Sequence, residues 1–273
     1  MTVPRHPGVM PIALDAHNPG PMTGDGNWTY LFTGRLNTLV DAGAGIPAHL
    51  DAIEQALGGA PLAQVLVTHA HVDHISGAPA IAQRFPGVRF RKMPWPERDV
   101  KWPVGWDPIV ADEIVTAGDS ALVAVHTPGH APDHLCFWHA GTRALLCGDL
   151  VQRGNTVWIP ANLRGDLIDY LASLERARAL EPALLLPSHG PVIDDAGKLF
   201  QRYLNHRRQR EEQVVDALRR GLTTSRAIVD DIYVGLGDSL LQLAHQGVVA
   251  HLVKLEREGR ARRDGDAWHI MDA

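Results

Sequence analysis

The sequence predicts an α/β fold: two β-sheets packed face to face with helices on their outer sides, an αββα sandwich, followed by a C-terminal winged helix. Three observations carry that prediction. Up to about residue 190, short apolar runs alternate with amphipathic stretches. The apolar runs end in loops rich in Gly, Pro, His and Asp. From Lys198 onward the pattern changes to three helical stretches and a hairpin.

In chain order, the first 25 residues are rich in Pro and Gly and read as an irregular surface arm. "NWTYLF" and "LNTLVDAG" read as paired strands, with the turn at Gly34-Arg35. "IPAHLDAIEQAL" is a helix stopped by Gly58-Gly59. "QVLVTH" is a short apolar strand, followed by a histidine-rich loop and the helix "APAIAQRF", which Pro86-Gly87 closes. "VRFRKM" is a further strand. "PWPERDVKWPVGWDP" has no periodicity and reads as a loop in which Trp95, Trp102 and Trp106 form a candidate wall for a substrate. "ALVAVHTPGH", "HLCFWHA" and "ALLCGD" are successive strands. "GNTVWIPANLRGDL" is a second wall candidate, through Trp158, Asn162 or Arg164. "LIDYLASLERARAL" is an amphipathic helix and "ALLLPSHGPV" a last buried strand. Three helices follow, the second with Thr224 as its N-cap, and then a hairpin turning at Asp264-Gly265. This order predicts a metal-hydrolase domain over residues 1–197 and a winged-helix domain over residues 198–273.

Composition narrows the function classes. With 273 residues and a formal net charge of −5, the chain carries no overall basic field that announces nucleic acid or a membrane surface. No stretch has the length of a membrane span, and the N-terminus lacks a basic-then-apolar export pattern. The two cysteines, Cys136 and Cys147, lie in apolar runs and read as buried thiols, so a cytoplasmic location is expected. Histidine is the outlier, with fifteen in the chain.

Four ligand-type residues fall within six positions: His69, His71, Asp73 and His74, in "THAHVDHISG". Imidazole and carboxylate are what zinc takes when thiolates are absent. The first two histidines project from an extended loop as a pair, while Asp73 and His74, at the turn into a helix, face a second point. Three later residues complete the set: His130 in "HTPGH", Asp149 in "LLCGD" and His189 in "LLLPSHG". Each sits at a strand end beside turn chemistry. The pattern predicts a two-metal cage.

These residues resemble the metallo-β-lactamase superfamily across roughly residues 27–195: His-x-His-x-Asp-His, a histidine after Thr-Pro-Gly, an aspartate after Gly and a histidine before Gly. Asp41 in "LVDAG" matches that superfamily's first motif, an aspartate that supports the metal loop. The winged-helix outline, with "YLNHRRQRE" leading into it, resembles the branch of β-lactamase-like protein 2. The resemblance implies a first zinc on His69, His71 and His130, a second on Asp73, His74 and His189, and Asp149 bridging both. It further implies that an aspartate bridge belongs with thioesterases and RNA-processing nucleases rather than with zinc β-lactamases.

The expected chemistry is hydrolysis by a hydroxide that two zinc ions share, with iron or manganese able to occupy the same ligands. Asp73 is the expected catalytic carboxylate, orienting that hydroxide, and His134 the candidate proton donor to the leaving atom. Before Lys198 there are 13 Lys and Arg against 20 Asp and Glu, a surface that repels a polyanion. The expected partner is therefore a small-molecule acyl ester, thioester or lactone. The alternative, implied by the resemblance to the β-lactamase-like protein 2 branch, is a single-strand endoribonuclease. The winged helix, with 13 Lys and Arg against 11 Asp and Glu from Lys198 on and Arg260, Arg262 and Arg263 at the wing, carries too little net positive charge to imply strong phosphate binding by itself. A weak β-lactamase activity is a side reaction open to such a site. A DNA-binding regulator with a vestigial metal domain fits worst, because all seven ligand positions are intact.

Overall fold

The computed structural model describes residues 10–154 and 156–271. The first sheet has six strands in sequence order: β1 (Ile12–Asp15), β2 (Trp28–Phe32), β3 (Thr38–Val40), β4 (Gln64–Val67), β5 (Arg89–Lys92) and β6 (Trp106–Pro108). β1 to β3 pair antiparallel, and β3 to β6 pair parallel. The second sheet holds β7 (Ile114–Ala117), β8 (Ser120–His126), β9 (Leu135–His139), β10 (Ala144–Gly148) and β11 (Leu184–Pro187), with only β10 and β11 parallel.

Strand alternation divides the side chains into three layers. Tyr30, Phe32 and Leu66 meet Leu122, Phe137 and Leu146 between the sheets. Leu31, Leu39 and Val65 point the other way, onto α1 (Pro47–Leu57) and, beyond the single turn α2 (Val72–Ile75), onto α3 (Ala78–Arg84). On the far side of the second sheet, Val125, Leu145 and Leu185 pack against α5 (Leu167–Ala179) and α6 (Ala196–Arg219). Gly58 takes a left-handed φ of 59° and ends α1 as expected. Cys136 and Cys147 are buried and unpaired.

Several elements differ from the sequence reading. Within the expected arm, whose residues 1–9 lie outside the described residues, Ile12–Asp15 adds an edge strand to β2. The tryptophan loop contains α4 (Pro96–Asp99) and β6, and its rings turn inward: Trp95 is buried, while Trp102 and Trp106 pack against the first sheet's helix layer. They form no wall. Beneath them, buried Lys92 pairs with Asp99 at 2.7 Å and Asp133 at 3.0 Å, tying β5 to the loop that carries His130.

The C-terminal part comprises the last turns of α6, α7 (Ser225–Ile232), α8 (Asp238–Arg257) and the hairpin β12 (Ala261–Asp264) with β13 (Ala267–Ile270). Its core gathers Val214, Leu218, Ile228, Leu252 and Trp268. Thr224 caps α7, its hydroxyl accepting from Ala227 N at 3.2 Å. The division expected after residue 197 falls inside α6, because that helix serves both cores. Leu199, Phe200 and Tyr203 belong to the first and Val214 and Leu218 to the second. Among the described residues no helix is long and apolar enough to cross a membrane.

Candidate metal centre

Four connections deliver seven side chains to one place. β4 ends at Thr68, whose amide and hydroxyl both donate to the Asp41 carboxylate at 2.8 and 2.9 Å, so His69 and His71 leave the sheet in a fixed direction. His71 then stands at the N-terminus of α2, a single turn that swings Asp73 and His74 round. His74 O accepts from Ala42 N, and Gly77 lies so close that a Cβ there would come within 2.1 Å of Ala42 O. After β8, Gly129 (φ 126°) bends the chain against Tyr170 and presents His130. Gly148 (φ 49°) ends β10 and presents Asp149, and β11 runs into His189.

The ligand atoms form two sets. His69 Nε2 lies 3.0 Å from His71 Nδ1, which lies 2.8 Å from His130 Nε2. Asp73 Oδ2 lies 3.2 Å from His74 Nε2 and 3.1 Å from His189 Nε2. Asp149 spans the sets: Oδ2 is 3.4 Å from His130 Nε2, and Oδ1 is 3.5 Å from His74 Nε2 and 3.4 Å from His189 Nε2. Within each of the trios His69–His71–His130 and Asp73–His74–His189, the atoms are all within 4.8 Å of one another. A tetrahedral cation with bonds of about 2.0–2.1 Å sets its ligand atoms about 3.3 Å apart.

The outer ring nitrogens test whether this set fits cations. His130 Nδ1 donates to Trp158 O at 2.7 Å, His74 Nδ1 to Asp41 Oδ2 at 2.8 Å and His189 Nδ1 to Gly26 O at 3.2 Å. His69 Nδ1 meets Thr68 Oγ1 at 3.0 Å, and that hydroxyl's own proton goes to Asp41. A neutral imidazole has one N–H, so in their neutral, metal-binding form these four rings turn Nε2 lone pairs inward. Lone pairs and carboxylates facing each other at about 3 Å repel unless positive charge lies between them. His74 Nε2 and Asp149 Oδ1 are buried and have no hydrogen-bond partner. The donor set fits divalent cations.

Charge differs between the halves. Burial, then His130, holds the His71 pKa down to about 3, and burial with His74 and His71 keeps His69 well below the ordinary histidine value. Burial also opposes protonation of His74, but Asp73, Asp149 and Asp41 together outweigh it and raise its pKa well above that value. The carboxylate-rich half calls for positive charge.

His134 stands behind the centre rather than in front of it. It is fully buried, its Nε2 accepts from Asp149 N at 3.0 Å, and its Nδ1 meets Thr127 Oγ1 at 2.8 Å. Burial, then His130, pushes its pKa well below the ordinary value. A neutral ring with both nitrogens engaged gives no proton to a leaving atom; it fixes the backbone of Asp149. Two residues that the sequence did not point to also hold the centre. Gly26 offers its carbonyl to His189, and Asn27 Nδ2 donates to Asp73 O at 3.0 Å.

A cleft of about 620 Å³ opens onto the centre. His71, Asp73, His130, Asp149 and His189 line one end, Trp158 and Ile159 a side, and α6 and α8 the far wall. Trp158 thus fulfils its expected place. Asn162 and Arg164 do not line it, the backbone N–H of the first donating to Gln246 Oε1 and the second pairing with Glu97 at 2.7 Å.

Fold and site together define a class. Residues 22–189 match the metallo-β-lactamase superfamily and residues 224–268 the β-lactamase-associated winged helix domain. The chain belongs to the metallo-β-lactamase superfamily, whose members are hydrolases. Within it, the chain is 31% identical over 250 residues to the β-lactamase-like protein 2 homolog of Caenorhabditis elegans, covering 89% of this chain and 83% of that one. It is 33% identical over 212 residues to the atrochrysone carboxyl ACP thioesterase nsrC of Aspergillus novofumigatus, covering 76% of this chain and 62% of that protein. A metallo-β-lactamase family protein of Thermus thermophilus superposes with a TM-score of 0.79 at 21% identity, over 96% and 98% of the two chains. The protein TTHA1623, solved in a di-iron-bound form, gives a TM-score of 0.55 at 28% identity over 70% and 96%.

Proposed function

We propose that this chain hydrolyses a small acyl thioester at a centre of two divalent metals, zinc in the first instance and iron or manganese as alternatives. His69, His71 and His130 hold one ion, Asp73, His74 and His189 the other, and Asp149 both. Residues 1–197 carry this chemistry in the proposal, and residues 198–273 close the cleft. Two cations so held supply an activated water and neutralise charge developing on the substrate oxygen.

Asp73 faces the cleft and accepts the attacking water's proton at its carboxylate. Asp149, its backbone held by His134, stays fixed between the two sets of ligands. The observation that carries the choice of substrate is the burial of His134. With that ring neutral and enclosed, the leaving atom receives no proton from His134. A thiolate, whose conjugate acid has a pKa of about 8.5, departs without one, whereas an alkoxide is far more basic. A relative named as an ACP thioesterase points the same way. The wing arginines give the ribonuclease reading little support: Arg260 pairs with Glu211 and Glu258, and Arg263 lies over the Trp268 ring.

The test compares hexanoyl N-acetylcysteamine thioester with a labelled, unstructured single-stranded RNA, using metal-loaded wild type and Asp73→Ala. Turnover of the thioester, at least about 10²-fold slower in the variant, is expected. Cleavage of the RNA without turnover of the thioester refutes the proposal.

A further inference from the structure

Beyond the metal ligands, the cleft holds a second polar cluster: His206, Arg207 and Arg210 from α6 and His251 from α8. Arg207 is 7% exposed. It donates to Val157 O and lies 5.2 Å from the Tyr170 ring centroid, and its Nε has no partner. His251 is 3% exposed, with neither ring nitrogen hydrogen-bonded, and His206 Nδ1 is likewise buried without a partner. The Arg210 guanidinium lies 4.4 Å from the Tyr233 ring centroid and donates to Gln213 Oε1.

Among the described residues no carboxylate pairs with Arg207 or Arg210. Glu211, 3.9 Å from His251 Nδ1, is committed to Lys254 at 2.6 Å and to Arg260. The carboxylates lining the cleft are Asp73 and Asp149, both in the metal centre. A buried guanidinium without a counter-ion carries a desolvation cost that an anion offsets, and charge-assisted bonds to guanidinium are among the stronger polar contacts. Leu236, Leu240, Leu243 and Ala244 add an apolar lining to the same cleft.

Resting on the thioesterase reading, we propose that the α6–α8 pocket binds an oxyanion of the substrate, a phosphate or a carboxylate, on Arg207, Arg210 and His251, while the aliphatic part lies along α8. The winged helix then serves as a specificity element for anionic thioesters. Burial, then Arg207 and Lys254, keeps the His251 pKa down at about 3, in line with a positive surrounding.

Three thioesters test this: hexanoyl N-acetylcysteamine, which is neutral; succinyl N-acetylcysteamine, with a carboxylate on the acyl half; and hexanoyl-coenzyme A, with phosphates on the thiol half. Wild type is expected to prefer one anionic substrate over the neutral one by tenfold or more in kcat/KM. Arg210→Gln is expected to erase that ratio, as is raising the ionic strength. No preference in wild type, or a ratio unchanged in the variant and in salt, overturns the subsite. If none of the three is hydrolysed, the thioesterase reading fails, and calorimetric binding of desulfo-coenzyme A and of succinate still reads the pocket. A tenfold weaker Kd in Arg210→Gln supports it; no binding, or equal binding, overturns it.

Discussion

Asp41 holds much of the centre from behind. Its carboxylate accepts from Thr68 N, Thr68 Oγ1, His74 Nδ1 and Ser188 Oγ, joining two of the loops that carry ligands, those after β4 and β11. It does so from a left-handed backbone, φ 65°, which an aspartate tolerates better than most residues. In Asp41→Asn one oxygen becomes an NH₂ facing other donors. We expect a loss of about 2–4 kcal/mol in stability and a roughly 10–100-fold weaker metal affinity, read by urea unfolding and by competition with a chelating dye. Unchanged values would show that the loops hold themselves. At this scale the seven ligand positions are legible in the sequence because histidines and aspartates have few other reasons to gather at strand ends. Gly26 and Asn27 are not legible: one acts through its carbonyl, the other through an amide aimed at a backbone oxygen. The role of His134 is misplaced for a similar cause, since a loop sequence does not say which of its polar residues will be enclosed.

Among the elements, α6 does the most to position the cleft. Tyr203 Oη accepts from Gln152 N and donates to Gln152 O, both at 3.0 Å, and Arg207 holds Val157 O next to the Trp158 carbonyl that orients His130. The loop after Asp149 is thereby tied to α6 at both ends. Tyr203→Phe should cost about 1–2 kcal/mol in urea unfolding and speed amide exchange at residues 151–158; exchange unchanged there would mean that the loop is held by other contacts. The start of α6 is legible from its periodicity, but its double allegiance is not. Leu199 and Phe200, each contributing about 1.5–3 kcal/mol on burial, belong to the first core, and sequence pattern shows only that they are apolar. β1 and β6 escape a sequence reading because strands of four and three residues among prolines carry almost no alternation. The tryptophans suggest a wall in sequence because aromatic residues in a loop give no sign of which way they turn.

Across the whole molecule, the sandwich and the winged helix follow from local patterns, the second from three helices and a hairpin in sequence. The cleft between them does not, because it depends on how α8 settles against the loop after Asp149. The same arrangement explains why one chain combines an acidic, cation-seeking centre with an arginine-lined wall. Metal bound to the folded chain but not to the unfolded one adds RT ln(1 + [L]/Kd) to stability, so a chelator should lower the melting temperature. The bridging carboxylate links both ions, which makes the metal content of wild type and Asp149→Asn the most direct test. After zinc loading and desalting, two equivalents per folded chain in wild type and one or fewer in the variant are predicted by elemental analysis. A single equivalent in wild type, or two retained in the variant, would contradict a binuclear centre built on Asp149.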